Sequence, residues 1–442
     1  MGTRALQAVG VGVFLGAAFG GPFFGYLADA RGRRSALLFA MILSSIGLAL
    51  SAVAKTDFHA IASRIVAGVG LGGELPVATV LVQELVPRTM RGRMVALLEA
   101  FTGVGGLVGV ALAFGVAPQI GWRNTDLVLF SCVLYTGVLR LGIPESPRWL
   151  ASVGRVNEAL QVVEKLERVH GVGVRYDNLK VQEAPTPMTV KSVSSVAKSK
   201  PSTFENPVQT IMLWILWTIT VVSSYALTVY VPTLISTTGF NMYESWNTVV
   251  LLYGSKVLGC LAASWMLETR GRKQSIGCFA TVASVTSILM SYLPWCPFVV
   301  IFWTCSVSAF LAGAWSCLLA YTPENYVTAV RLRGVSYAFG ISRIGAAGGT
   351  LLYPYMFDVW YMTVRDITLV FAGLLAFTVL PIVLSDAFIP TTNGYITETN
   401  YHDSNSNMES GINEDDVPLV INATTTQTLE YCEQFFTEGR TI

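Results

Sequence analysis

Charged residues are scarce in this chain, and histidine is nearly missing. Asp, Glu, Lys and Arg make up 13% of the 442 residues, about half the share found in soluble domains. Only three histidines occur, none lies in the middle of an apolar segment, and no catalytic constellation surrounds them. The formal net charge is +1, which argues against nucleic acid as a partner. These shortages point to a membrane protein that is not an enzyme.

The seven cysteines show no spacing typical of a metal site or of a disulfide framework. Most of them lie inside apolar segments, where a free cysteine behaves as a small hydrophobic residue. The glycine-rich phosphate-binding loop of P-loop proteins is also missing, which argues against a pump driven by ATP. We therefore expect neither a metal nor a cofactor.

Hydrophobic residues supply 52% of the chain, and the mean hydropathy is +0.55. The backbone polar groups of a segment in lipid must bond within that segment, so the apolar segments should form helices. The sequence predicts an all-α, multi-pass integral membrane protein with about eleven transmembrane helices of about 20 residues each. The predicted segments are 6–28, 35–54, 59–82, 94–117, 125–144, 208–235, 246–267, 275–294, 297–321, 335–358 and 366–389.

Basic residues alternate between the loops that join these segments. One set of loops is rich in arginine, whereas the other carries few basic residues. The positive-inside rule places the arginine-rich loops in the cytoplasm. It places the long gap 151–205 there too, and Val153–Arg168 within that gap has an amphipathic helical pattern.

Two motifs of the arginine-rich loops occur twice. Gly25–Arg34 (GYLADARGRR) returns as Met266–Lys273 (MLETRGRK), with the acidic residues offset by 268 − 29 = 239. Glu84–Gly92 (ELVPRTMRG) returns loosely as Glu324–Gly334 (ENYVTAVRLRG), with an offset of 324 − 84 = 240. Two motifs that recur at one offset indicate an internal duplication, which in an apolar chain is typical of a transporter.

These motifs resemble those of the major facilitator superfamily. Gly25–Arg34 is similar to its signature after the second helix, Glu84–Gly92 to the loop after the fourth, and Pro144–Leu150 (PESPRWL) to the signature that closes the sixth in sugar porters and organic-ion carriers. The paired glutamines of sugar porters are missing from 217–234. That segment and Ser342–Gly345 more closely resemble the synaptic-vesicle-2-related, niacin and organic-ion carriers.

The resemblance implies a major facilitator fold with two pseudo-repeated helical bundles. The predicted divisions are an N-terminal bundle over 1–150, a cytoplasmic linker over 151–205, a C-terminal bundle over 206–390 and a disordered cytoplasmic tail over 391–442. The first segment here resembles the family's second helix. We therefore expect the family's first helix to be missing, which leaves open a membrane scaffold that does not transport.

We use the name cytoplasmic gate for a set of predicted residues at the arginine-rich loops, all of them charged except Gly25. By resemblance, charge pairs between helices hold the outward-facing state and break when the inner side opens. Exposed pairs are worth only about 0–1 kcal/mol each, which suits contacts that must break. For the arginines, a plain positive-inside anchor is the alternative. The predicted gate comprises Gly25, Asp29, Arg33, Glu84, Arg91, Glu268, Arg272, Glu324 and Arg331.

Two charged residues inside apolar segments are candidates for proton coupling. Arg64 lies in the outer half of its segment, where a charge costs at least about 2.5 kcal/mol. The resemblance implies that its partner is a carboxylate on the missing first helix, and snorkelling to the surface is the alternative. Glu99 lies near mid-depth, where it could exchange a proton or contact the substrate. Its alternative is a neutral carboxyl group bonded to a neighbouring helix.

Two further cations lie inside segments and are candidates for binding an anion. Lys256 lies in the middle of its segment, and Arg343 lies about eight residues beyond Val335. In the organic-anion carriers that this region resembles, an arginine here contacts the substrate. Either cation could instead pair with Glu99 or with backbone carbonyls. Tyr225 is an aromatic candidate for the same cavity.

The sequence thus predicts a secondary active transporter of a small polar solute. We expect an organic anion to bind at mid-membrane and to be carried by proton-coupled alternating access. The alternatives are a sugar-type uniporter or symporter of the same superfamily and the scaffold. The expected partners are the solute and the lipid bilayer, and we expect a monomer.

Overall fold

A computed structural model describes residues 3–169, 207–230, 246–293, 296–326 and 328–378. These described residues form helices and short connections, without strands. The first half contains α1 Thr3–Arg31, α2 Arg33–Ala52, α3 Asp57–Leu85, α4 Arg91–Ala111, α5 Ala117–Arg140, α6 Pro147–Ser152 and α7 Val156–Val169. The second half contains α8 Pro207–Tyr225, α9 Trp246–Thr269, α10 Arg272–Tyr292, α11 Pro297–Tyr321, α12 Arg331–Asp358 and α13 Val364–Phe377.

Each of the eleven predicted segments contains a helix, so the all-α prediction is confirmed. In the described part of the chain, eight helical stretches are long and apolar enough to cross a membrane. One of them, Arg88–Val133, joins α4 to most of α5 through the π-helical turn Leu112–Val116. The amphipathic helix predicted over Val153–Arg168 is present as α7. Most of the predicted linker and the whole tail lie outside the described residues.

Glycine makes the tight turn in both copies of the first duplicated motif. Gly32 joins α1 to α2 with a φ of 104°, and Gly271 joins α9 to α10 with a φ of 81°. Only glycine adopts such values without steric cost. The two positions are 271 − 32 = 239 residues apart, so the predicted duplication holds at the level of the backbone.

Several helix starts follow from local sequence chemistry. The Thr56 side chain accepts a hydrogen bond from the backbone N–H of His59 and caps α3. At α13, Thr363 and Asp366 bond each other's backbone in a capping box. Both arrangements satisfy N–H groups that the first helical turn leaves without partners.

The helices pack into two bundles that meet along two seams. In the first half α3 packs against α1 and α2, and in the second α11 packs against α9 and α10. We call the contact between α1 and α12 the first seam and that between α4 and α9 the second seam. Gly25 lies in the first seam, where an added Cβ would stand 2.6 Å from the Cβ of Ser336. Gly103 lies in the second seam against Val257. Small residues thus let the halves approach closely at both seams.

Candidate functional site

A buried network of ion pairs lies at the arginine-rich end of the first seam. The Asp29 carboxylate at the end of α1 accepts hydrogen bonds from Nε of Arg333 at 3.0 Å and from its backbone N–H at 3.2 Å. Its other oxygen lies 3.4 Å from Nη2 of Arg33. The side chain of Asp29 is only 3% exposed. This pair therefore joins the first half of the molecule to the second.

Glu84 makes a second connection between the halves. It accepts from Nε of Arg33 at 3.0 Å within the first half and from Nη1 of Arg331 at 3.4 Å across the seam. Arg33 also donates from Nη2 to the backbone carbonyl of Thr328 at 3.1 Å. The side chains of Glu84 and Arg33 are completely buried, so water cannot replace these partners.

The structure thus brings four predicted gate residues together, with Arg333 added as a fifth member. Sequence reasoning placed Arg333 in a cytoplasmic loop but did not assign it to the gate. The duplication could have identified Arg333 as a gate residue, because Arg333 follows Arg331 by two residues as Arg93 follows Arg91.

The duplicated residues at the second seam pair more loosely. Arg272 binds Glu324 within the second half at 3.1 Å, the counterpart of the Arg33–Glu84 pair. The counterpart of Asp29–Arg333 is Arg93 with Glu268, at 4.0 Å between side chains that are 50% and 36% exposed. The predicted gate residues therefore divide into a tight set at one seam and a loose set at the other.

Arg91 departs from this pattern. Its duplicate Arg331 binds Glu84. In the described part of the chain, however, Arg91 has no side-chain nitrogen within 4.0 Å of a Glu324 carboxylate oxygen. Its Nε and Nη2 atoms are buried without a hydrogen-bond partner. Arg148 and Arg331 lie within electrostatic range of it. The sequence predicted Arg91 as a gate residue; in the described part of the chain Glu324 lies within electrostatic range of it but does not form the direct pair.

The PESPRWL motif is tied to the same network. The Glu145 carboxylate accepts hydrogen bonds from the backbone N–H groups of Arg33 at 2.9 Å, Arg34 at 3.2 Å and Ser146 at 2.9 Å, and so caps α2. Burial raises the pKa of Glu145, and these N–H groups partly oppose the rise. The indole N–H of Trp149 donates to the Asp29 backbone carbonyl at 3.0 Å. Sequence reasoning quoted this motif but missed its contact with the gate.

Arg64 has a partner that sequence reasoning missed. Its Nη2 lies 3.2 Å from the Asp126 carboxylate on α5, which also accepts from the Ser51 hydroxyl at 2.8 Å. The resemblance had implied a partner on another helix, outside this sequence. A second pair between α3 and α5, Glu74 with Arg140 at 2.9 Å, was also missed. The available signal was that each of the two apolar segments carries one acidic and one basic residue, Arg64 and Glu74 in 59–82 and Asp126 and Arg140 in 125–144.

Arg343 lies at the centre of the molecule among aromatic side chains. It is twelve residues into α12 (343 − 331 = 12), roughly 18 Å from the end of the helix, because α12 starts at Arg331 rather than near Val335. Its guanidinium carbon lies 4.2 Å from the ring centre of Phe339 and 5.4 Å from that of Trp315. Nη1 of Arg343 lies 3.4 Å from the Tyr225 hydroxyl at the end of α8, a long hydrogen bond.

Glu99 approaches the same place from α4. Its side chain is buried, Trp315 lies within hydrogen-bonding reach of it, and Arg343 lies within electrostatic range. One carboxylate oxygen of Glu99 and Nε of Arg343 are buried without a hydrogen-bond partner among the described residues. The ammonium of Lys256 on α9 lies 4.8 Å from the ring centre of Tyr253. The structure thus brings Arg343, Tyr225 and Glu99 together. Trp315 lies between Arg343 and Glu99 and interacts with both.

Comparison with known proteins agrees with this fold. The family model described as "Sugar (and other) transporter" matches residues 3–398. A niacin transporter of Acinetobacter baylyi is 31% identical over 83% of this chain and 82% of its own. A gallate transporter of Pseudomonas putida is 25% identical over 77% of this chain and 74% of its own. A synaptic vesicle 2-related protein of Xenopus laevis is 24% identical over 82% and 67%.

Solved structures share the architecture. A proton:xylose symporter, XylE, superposes with a TM-score of 0.66 at 18% identity over 88% of this chain and 87% of that chain. The human organic anion transporter MFSD10 does so with 0.62 at 14% identity over 86% and 83%. At these identities the likeness shows the fold alone.

The helical bundles and the paired charge motifs are those of a major facilitator. The chain belongs to the sugar (and other) transporter family of that superfamily, as the match over residues 3–398 shows. It is a multi-pass integral membrane transporter of small solutes, and the predicted resemblance is confirmed.

Proposed function

We propose that this transporter carries a small organic anion by proton-coupled alternating access, with the carboxylate of the substrate bound to Arg343. One observation carries the proposal: among the described residues, the Arg343 guanidinium has a buried Nε without a hydrogen-bond partner and makes one hydrogen bond, a long one, to the Tyr225 hydroxyl. A cation at this depth in a membrane is costly unless an anion pairs with it. A substrate carboxylate would be that anion when Glu99 carries a proton.

The geometry of Arg343 favours a carboxylate. A guanidinium presents parallel N–H groups that match the two oxygens of a carboxylate. Phe339 and Trp315 flank the guanidinium and offer ring faces to the apolar part of a ligand. A small anion with a flat apolar body fits this combination of charge and rings better than a sugar, which needs many hydroxyl partners.

Glu99 supplies the means for proton coupling. While ionised, it competes with the substrate for the positive field of Arg343, which lies within electrostatic range. A proton on Glu99 removes that competition and leaves Arg343 to the substrate. Proton binding and anion binding would then favour each other, as coupling between two sites requires.

Two relatives point the same way. They are named for niacin and gallate, and both compounds are small aromatic carboxylates. The xylose symporter supports the fold and leaves the substrate open, since it is only 18% identical. We therefore favour an aromatic carboxylate over a sugar for this chain.

The test is uptake by the full chain in proteoliposomes. We expect accumulation of radiolabelled nicotinate or gallate when the outside is more acidic than the inside. Nicotinamide is the matched control, because it keeps the ring and lacks the carboxylate charge. Equal uptake of nicotinate and nicotinamide, or uptake of xylose alone, would overturn the assignment to an anion. Nicotinate uptake unaffected by the pH gradient would overturn the proton coupling.

A further inference from the structure

We propose that Trp217 on α8 is a positioning residue that connects the central cluster to the arginine-rich end of the molecule. The central end of this connection rests on the proposed function, which assigns Arg343 to the substrate. Trp217 is completely buried. Its ring meets that of Trp315 edge to face, with 4.9 Å between ring centres, and that of Phe339 in the same way at 6.0 Å. These two rings flank Arg343, so Trp217 acts on the substrate site through them.

The indole N–H of Trp217 is bound to the end of α11. It donates a hydrogen bond to the Thr322 hydroxyl at 2.8 Å, and that hydroxyl donates to the Leu318 carbonyl, also at 2.8 Å. Thr322 is completely buried, so water cannot replace the indole as its partner. It is the first residue of the 3₁₀ turn Thr322–Asn325, which follows α11. One side chain therefore contacts both the rings at the centre and the arginine-rich end of α11.

The first half of the molecule contacts the same end of α11. Gln83 on α3 donates from Nε2 to the Ala320 backbone carbonyl at 2.9 Å, across the two halves. Arg331 donates from Nε to the Pro323 carbonyl at 3.1 Å and from Nη1 to Glu84 at 3.4 Å. The threonine that binds the indole lies between these two carbonyls in the chain. When the first half moves away from the second, the bonds across the halves break at the point that the indole holds.

A connection of this kind transmits a displacement in both directions. A tryptophan side chain has only two rotatable bonds, and close packing leaves a buried ring no room to absorb a shift. A substrate that reorients Arg343 therefore moves the ring contacts at one end, and opening of the first seam moves Thr322 at the other. By linkage, substrate binding and opening change each other's equilibrium by the same factor. A role in core packing alone involves no such coupling.

Labelling of a cysteine at the first seam measures the coupling. Ser336→Cys places the reporter against Gly25, and a membrane-impermeant reagent on the cytoplasmic side labels it when the seam opens. Nicotinate should change the labelling rate. Thr322→Val keeps the shape of the side chain and removes the hydroxyl, and Trp217→Phe keeps a ring and removes the N–H. In either variant the effect of nicotinate should shrink about fivefold, which corresponds to the loss of one hydrogen bond.

The double variant should match either single variant, because both substitutions remove the same bond. Thr220→Val is the matched control. It removes a buried threonine hydroxyl on α8 that donates within its own helix to the Leu216 carbonyl at 2.7 Å, and it should leave the effect of nicotinate unchanged. A full effect of nicotinate in Thr322→Val would overturn the connection, and so would an equal decrease in Thr220→Val. Thr322→Val decides the test alone if Trp217→Phe does not fold.

The wild-type central site distinguishes a failure of the proposed function from a failure of this connection. If nicotinate leaves the labelling of the Ser336→Cys protein unchanged, the proposed substrate is wrong, and Arg343→Ala replaces the ligand as the change made at the centre. The effect of Arg343→Ala on the labelling rate should then be about fivefold smaller when Thr322→Val is also present. An effect that is equal with and without Thr322→Val, or absent from both, contradicts the role of Trp217 whatever the substrate is.

Discussion

The centre of the molecule and its arginine-rich end both contain buried charges, but these charges are partnered differently. At the arginine-rich end, Arg33 is fully buried and donates to Glu84 and to the Ala28 and Thr328 carbonyls. At the centre, Arg343 makes one long hydrogen bond, to Tyr225, and its buried Nε has no hydrogen-bond partner in the part of the chain that the structure describes. The first arrangement is complete within the protein, whereas the second leaves hydrogen-bonding capacity for a ligand.

This difference separates two roles that the sequence alone cannot separate. A charge whose partners all come from the protein contributes to holding the fold or one conformational state. A charge that lacks partners raises the free energy of the empty protein, and a ligand of opposite charge lowers it again. On this ground we propose that the first seam takes part in closure and that the central cluster binds the substrate.

Replacing Arg343 should have the largest effect on transport. Arg343→Ala should abolish uptake of an anionic substrate, and Arg343→Lys should keep only a small part, because an ammonium group lacks the paired N–H geometry. Initial uptake rates in proteoliposomes measure this. Arg31→Ala, which removes an exposed arginine at the end of α1, is the control. Wild-type uptake by Arg343→Ala would show that the lone central charge has another role.

Glu99→Gln should have the next largest effect, on coupling more than on binding. The amide keeps the shape of the side chain but cannot exchange a proton. Accumulation driven by a pH gradient should be lost, whereas exchange of labelled for unlabelled anion should continue. Glu158→Gln on α7, whose side chain is 51% exposed, is the control. Gradient-driven accumulation by Glu99→Gln would remove Glu99 from the coupling mechanism.

The arginine-rich end should respond in stability. Glu84→Gln leaves Arg33 and Arg331 without their shared carboxylate, and breaking a buried pair of this kind costs roughly 3–5 kcal/mol. Thermal unfolding of the purified protein measures the loss. Its duplicate provides the comparison, because Glu324 is 19% exposed and, among the described residues, forms an ion pair with Arg272 only. Equal losses for Glu84→Gln and Glu324→Gln would contradict the distinction between the seams.

The smallest expected effect is a shift between conformations. Asp29→Asn should weaken the first seam and expose a cysteine placed at Ser336, which lies against Gly25, to a membrane-impermeant reagent from the cytoplasmic side. Glu268→Gln should change this labelling much less, since exposed pairs contribute only about 0–1 kcal/mol. The measurement is the labelling rate of each variant with the cysteine at position 336, compared with the rate for the protein that lacks the added cysteine. Equal rates in both variants would show that the two seams contribute alike.

The sequence by itself determined the helices, the duplication and the residues that had to be explained. Lipid requires each apolar segment to satisfy its own backbone, so eleven segments could be placed before their packing was known. Gly32 and Gly271 could be paired from the motif, and both adopt positive φ. Arg343 and Glu99 could be selected because a charge in an apolar segment is costly wherever it faces.

Only the tertiary structure decided which charge meets which. Asp29 pairs with Arg333, 304 residues away in the chain, and Arg64 pairs with Asp126, 62 residues away. In a duplicated sequence every acidic residue of one motif has several equivalent arginines as possible partners. The close approach of α1 and α12 at Gly25 selects among these arginines. The interaction energy of two charges weakens as the distance between them grows, and the packing of the helices sets that distance.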